Sequence, residues 1–184
     1  MKASDKGMVH ITLSFILLVW LVMVWCVLLN LKKADYAARY IEDCLTQANL
    51  AALVVDPYQY GSSGELVFSD VRETKALFEN ILKNSMDDEE TLKKLGITGP
   101  AALQEFRVYE VTGTGTAEFI FDSLGFMRTC KYGLTETVTA PDETVIEESA
   151  LYARIEVPVA FLFGIELKAI KEHCVDIKNE VEDE

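Results

Sequence analysis

The residues of this 184-residue chain that could do chemistry are two histidines, four cysteines and 30 carboxylates, and their spacing decides what they could do. His173 and Cys174 are adjacent, but a Cys-His pair makes a nucleophile only when both side chains meet in space with an orienting third group. They lie in a segment that reads as a strand, where neighbours point to opposite faces, so no such pairing is expected. Thr112-Gly113-Thr114-Gly115-Thr116 has the glycines of a phosphate cradle. It lacks a Gly-Lys-Ser/Thr ending, a third glycine at dinucleotide spacing and a following helix, so it reads as a turn. Asp87-Asp88-Glu89-Glu90 has the ligand type for a hard cation but neither the alternation nor the turn glycine of a calcium loop. Four acids at a helix start suit the helix dipole instead. Glu147-Glu148 and the acidic end from Glu180 to Glu184 read as solvated surface. No catalytic residue, metal site or cofactor is expected, and the chain does not read as an enzyme.

The element that dominates the sequence is apolar. From Met8 to Leu31, 24 residues run without Asp, Glu, Lys or Arg, and about 20 suffice to cross hydrocarbon. A cleaved secretory signal has an apolar region of only about 7 to 15 residues, closed by a small-residue cleavage site. Here the run passes without one into Lys32-Lys33, a polar stop of the kind found at a membrane surface. His10, Thr12, Ser14 and Asn30 are the polar groups inside it, and such groups often mark a helix contact.

From Ala34 onward 13 basic residues face 29 acidic ones, a formal charge of −16. Nucleic acid is thereby excluded as a partner, since its binding depends on clustered Lys and Arg. Orientation in the membrane is a tie by positive charge, with Lys2, Lys6 and the N-terminal amine on one side and Lys32, Lys33 and Arg39 on the other. Cys26 falls in the apolar run, leaving Cys44, Cys130 and Cys174, an odd number that allows one disulfide and a free thiol. If the domain is extracytoplasmic, Cys130 with Cys174 is the expected bridge.

Beyond Lys33 the helical period continues through Ala34, Ala37, Ala38, Ile41, Leu45, Ala48 and Ala52, which predicts one rod of about 70 Å from Met8 to Val55, stopped by Asp56-Pro57. Tyr58 to Gly64 reads as a loop. Ser69-Asp70 open a second amphipathic helix bearing Val71, Ala76, Leu77, Ile81 and Leu82, with a short helical piece from Asp87 to Leu95. Phe106–Val111 and Thr116–Phe121 alternate as half-buried strands and predict a hairpin. Further strands are expected at Thr135–Thr139, Ala150–Phe161 and Lys168–Lys178. Pro158 cannot donate to a ladder, which predicts an edge strand or a bulge for its segment. The apolar run Val157 to Ile165 is then either core filling or a partner surface. The fold class is α+β: a long N-terminal helix extending into a small antiparallel-sheet domain.

This layout, with Lys6-Gly7 ahead of an apolar helix, the Ala-rich Asp35-Tyr36-Ala37-Ala38-Arg39-Tyr40 after it, and a strand, an apolar Pro/Phe/Gly turn and a last strand at Ala150–Lys178, resembles type IV pilins. More specifically it is similar to the TadE-like pseudopilins of tight-adherence pili. The resemblance implies a leader at 1–7, a processing junction at Gly7 and Met8, a transmembrane helix at 8–31, and an extracytoplasmic domain at 32–184 packed on the continued helix 32–55. It implies a single-pass protein of the cell membrane with its N-terminus cytoplasmic. Partners would be membrane lipid, other pilin-like subunits and the assembly platform, met through Thr12, Phe161, Leu162, Phe163 and Ile165. Filament-forming members carry Glu where Thr12 stands, so the resemblance implies a minor subunit. The alternative is a membrane-tethered extracytoplasmic binding or sensor domain that never assembles.

Overall fold

The computed structural model describes residues 4–122, 125–161 and 164–176, the first six of these by their backbone alone. Helix α1 runs without a break from Ser4 to Ala52, 49 residues or about 73 Å, because no proline interrupts it. Its end comes three residues earlier than the period suggests. Val55 leaves the helix to pair with Phe68, and Asp56 donates its N–H to the Val67 carbonyl at 2.9 Å. Pro57 holds the preceding Asp56 extended.

The segment expected to be a loop is a short helix, α2 (Pro57–Ser63). The Asp56 carboxylate caps it by accepting from the Tyr58 and Gln59 N–H groups, and Gly64 closes it in the left-handed conformation at φ 73°. Helix α3 (Val71–Ser85) starts at Asp70 as expected and buries Thr74, Phe78 and Leu82 at four-residue spacing. Ala76, expected on that face, is exposed. Helix α4 (Glu89–Leu95) is capped by Asp88 and ended by Gly96.

Five antiparallel strands follow: β1 (Ala102–Thr112), β2 (Gly115–Asp122), β3 (Met127–Tyr132), β6 (Ala150–Ala160) and β7 (Glu166–Asp176), in the order β3-β2-β1-β6-β7. The hairpin of β1 and β2 turns where expected, with Thr112 opposite Gly115. Two short strands, β4 (Val138–Thr139) and β5 (Val145–Ile146), pair with each other. Of the strand expected at Thr135–Thr139, only the last two residues pair.

Pro158 does not mark an edge. Strand β6 lies inside the sheet between β1 and β7, but its pairing with β1 stops at Glu156. Beyond that point the Pro158 carbonyl accepts from Thr98 at 3.0 Å, so the proline nitrogen faces a stretch where no ladder bond is missed.

Side chains on one face of the sheet, including Phe106, Val108, Leu151, Ile155 and Val157, meet α1 and α3. The second half of α1 is the spine of this core: Ala37, Ile41, Cys44, Leu45, Ala48 and Ala52 form a fully buried stripe. Burying one Leu or Ile there contributes about 1.5–3 kcal/mol. Small alanines between them let sheet and helix approach. Polar ties fix the register, with Asn49 Nδ2 donating to the His173 carbonyl at 3.1 Å and Lys171 pairing with Glu42 at 2.8 Å. The β4–β5 hairpin covers part of the opposite face, over Tyr109, Tyr152 and Cys174.

Candidate functional site

The first half of α1 is the largest uncovered apolar surface of the described chain. Every residue from His10 to Leu29 is exposed, with Trp20 at 66% and Trp25 at 62%, and an 18-residue window of the helix has a mean hydropathy of 2.7. It is long and apolar enough to cross a membrane. Helix geometry satisfies its backbone internally, and Asn30 donates one side-chain N–H to the Cys26 carbonyl at 2.8 Å within the same helix. Thr12 lies exposed on the same rod.

The residues singled out in the sequence do not converge. Gly7 and Met8 lie in the opening turns of α1. Phe161 and Ile165 bracket the turn between β6 and β7, where the Phe161 N–H donates to the Ile165 carbonyl at 2.7 Å and Gly164 takes φ 75°. Phe161 is half-buried and Ile165 is 57% exposed. Leu162 and Phe163 lie outside the described residues. Thr12 is about 30 Å along α1 from Lys33, the residue that comes close to this turn, so the two regions face different surroundings. Val157 and Val159 fill the core.

The expected bridge between Cys130 and Cys174 is corrected by the sheet. Cys130 sits on β3 and Cys174 on β7, at opposite edges and four strand spacings of about 4.8 Å apart. A disulfide needs Cα atoms within about 7 Å. All four cysteines are free. Cys174 is buried against Tyr109 and Tyr152; burial first, then the charges of Asp142 and Asp176, push its thiol up to about 12. Burial likewise raises Cys44, whose thiol lies 3.7 Å from the Ser85 carbonyl. A maleimide is therefore expected to label Cys130 in the folded protein and to reach Cys44 and Cys174 only in denaturant. Peptide mapping checks this, and a linked Cys130–Cys174 peptide would contradict the strand order.

The acidic run resolves into helix chemistry: Asp88 accepts from the Glu90 and Thr91 N–H groups, and its bond with the Thr91 hydroxyl lowers its pKa. Among the described residues no group of three His, Cys, Asp or Glu side chains stands ready to hold a metal ion.

Sequence reasoning missed a polar network on the far face of the sheet. Arg107 reaches Glu118 at 2.8 Å and Glu105 at 2.8 Å, and its guanidinium lies 5.9 Å from the centre of the Tyr152 ring. Glu118 is almost fully buried, and its second oxygen accepts from the Tyr132 hydroxyl at 2.7 Å, which pushes that phenol up to about 12. Both carboxylates are spent on one arginine, so the network holds β1 to β2 and β3 rather than offering a free acid or base.

Between α3, α4 and the start of β1 lies a groove of about 640 Å³, with Leu82, Met86, Leu92, Ile97, Leu103 and Lys83 among its lining residues. Comparison of the chain with protein-family models, curated proteins and solved structures finds no match in any of the three.

Proposed function

We propose that this chain is a minor pilin-like structural subunit of a bacterial filament of the type IV, tight-adherence kind, anchored in the cell membrane by the first half of α1 until assembly. The reading places the N-terminus in the cytoplasm and the acidic domain outside. One observation carries it: a single unbroken helix is bare and apolar over its first half and forms the spine of the core over its second. A mere tether needs no such continuity, because a flexible linker would hold the domain equally well. A subunit that packs by its helix against other subunits needs the domain fixed rigidly to that helix. Thr12, in place of a carboxylate that could pair with a neighbour's amine, favours a minor role over a filament-forming one.

The test is the intact mass of the protein taken from its native membrane with its own secretion machinery present. Loss of Met1 to Gly7 supports the subunit reading, as does copurification with other pilin-like chains. A full-length mass with no such chains removes it. The second reading, a membrane-tethered binding module, is favoured by the apolar groove beside α3, and that pair of results would leave it standing.

A further inference from the structure

The turn between β6 and β7 presents two aliphatic side chains to the outside, Ile165 at 57% and Leu167 at 51% exposure. Their level along α1 is fixed twice. Lys171 of β7 pairs with Glu42, which stands eleven residues, or about 16 Å, beyond Leu31. From Lys171 back to Leu167 and Ile165 the strand covers about 13 and 20 Å, which returns Ile165 to the level of Leu31. Independently, Gly96 lies between α1 and the end of β6: a Cβ placed there would stand 2.9 Å from Lys33 Nζ and 3.1 Å from the Ala160 carbonyl oxygen. Ala160 is the strand partner of Glu166. Both routes put the turn where the charge-free stretch of α1 ends.

On the reading that α1 spans a bilayer, on which this inference rests, that level is the boundary between acyl chains and headgroups. The geometry points to Ile165 and Leu167 seating in that boundary layer, so that the domain meets the membrane through these two side chains around the start of β7 as well as through α1. The occupant of this apolar tip is lipid, and the contact exists before any assembly. Lys32, Lys33 and, in the last turn of α4, Lys93 bring positive charge to the same end of an otherwise acidic domain, at the depth of lipid phosphates. Ile165, which the sequence suggests as a protein contact, thus faces the surface from which the helix emerges.

The full chain carries only Trp20 and Trp25. In a Trp20→Phe, Trp25→Phe background, Ile165→Trp is compared with Val145→Trp, which is 49% exposed on β5 and remote from the turn. Each is placed in phosphatidylcholine vesicles whose acyl chains carry bromine near the headgroup. Tryptophan at 165 is expected to emit to the blue and to be quenched roughly threefold or more beyond that at 145. Equal, weak quenching at both positions overturns the proposal. So does blue emission at 165 without bromine quenching, which would mean a protein rather than a lipid neighbour. The unsubstituted chain separates the premise from the inference. If Trp20 and Trp25 are quenched and position 165 is not, the tip contact alone fails; if they too are unquenched, the span itself fails.

Discussion

Replacing both Val19 and Val22 with arginine is expected to release most of the protein from an alkaline-washed membrane pellet. Both side chains lie near the middle of the bare stretch of α1, 42% and 51% exposed. An arginine at the centre of a spanning helix costs about 2.5–3.5 kcal/mol, whereas each Leu, Ile, Val or Phe contributes only about 0.3–0.6 kcal/mol to insertion. Two arginines therefore cancel about a dozen apolar residues. The pair Val19→Ala and Val22→Ala removes bulk without charge and is expected to remain in the pellet. Retention of the arginine variant would mean that something other than this helix anchors the chain.

The second large effect is expected in the core. Phe106 is fully buried on β1, with its ring centre 5.0 Å from that of Phe78 on α3 and 6.1 Å from that of Phe121 on β2. It is the point at which helix layer and sheet interlock. Phe106→Ala is expected to destabilise the domain by about 3–5 kcal/mol, a large part of the total stability of an ordinary domain. Thermal unfolding followed by circular dichroism should show the midpoint falling by roughly 10 °C or more. A fall of only about 2 °C would mean that the helix layer does not rest on this ring.

The parts of the fold that could be read from sequence are those with a strong local signal. Met8 to Leu31 is legible because a charge-free run of that length has few physical explanations. The β1–β2 hairpin is legible because apolar residues alternate on both sides of Thr112–Gly115. Helix α2 was hidden by a loop-like composition, Tyr58 to Gly64, although Asp56 followed by Pro57 is itself a helix-start signature. Strand β3 was missed because an edge strand exposed on both faces has no reason to alternate: Met127, Arg128 and Thr129 are all exposed.

The failed cysteine pairing and the edge-strand reading of Pro158 share a cause. Both depend on strand order, and strand order is set by packing across the sheet rather than by neighbours in the chain. The Arg107–Glu118 pair was within reach, since the hairpin register sets Tyr109 against Glu118 and puts Arg107 on the same face two residues away. What the register alone does not reveal is that Glu118 is buried and accepts from Tyr132 of the unexpected strand β3.

The absence of any break in α1 between Leu31 and Ala52 makes the helix a lever. The arm above Leu31 is about 30 Å long, and the sheet is bolted to it by Glu42 and Asn49. A change of about 10° in the tilt of the lower part, well within the range that spanning helices adopt, swings the upper end of the domain by about 5 Å. If α1 spans a bilayer, the bilayer's thickness, or the pull of a neighbouring helix, would thus be amplified into a displacement of the far end of the domain without any change inside it.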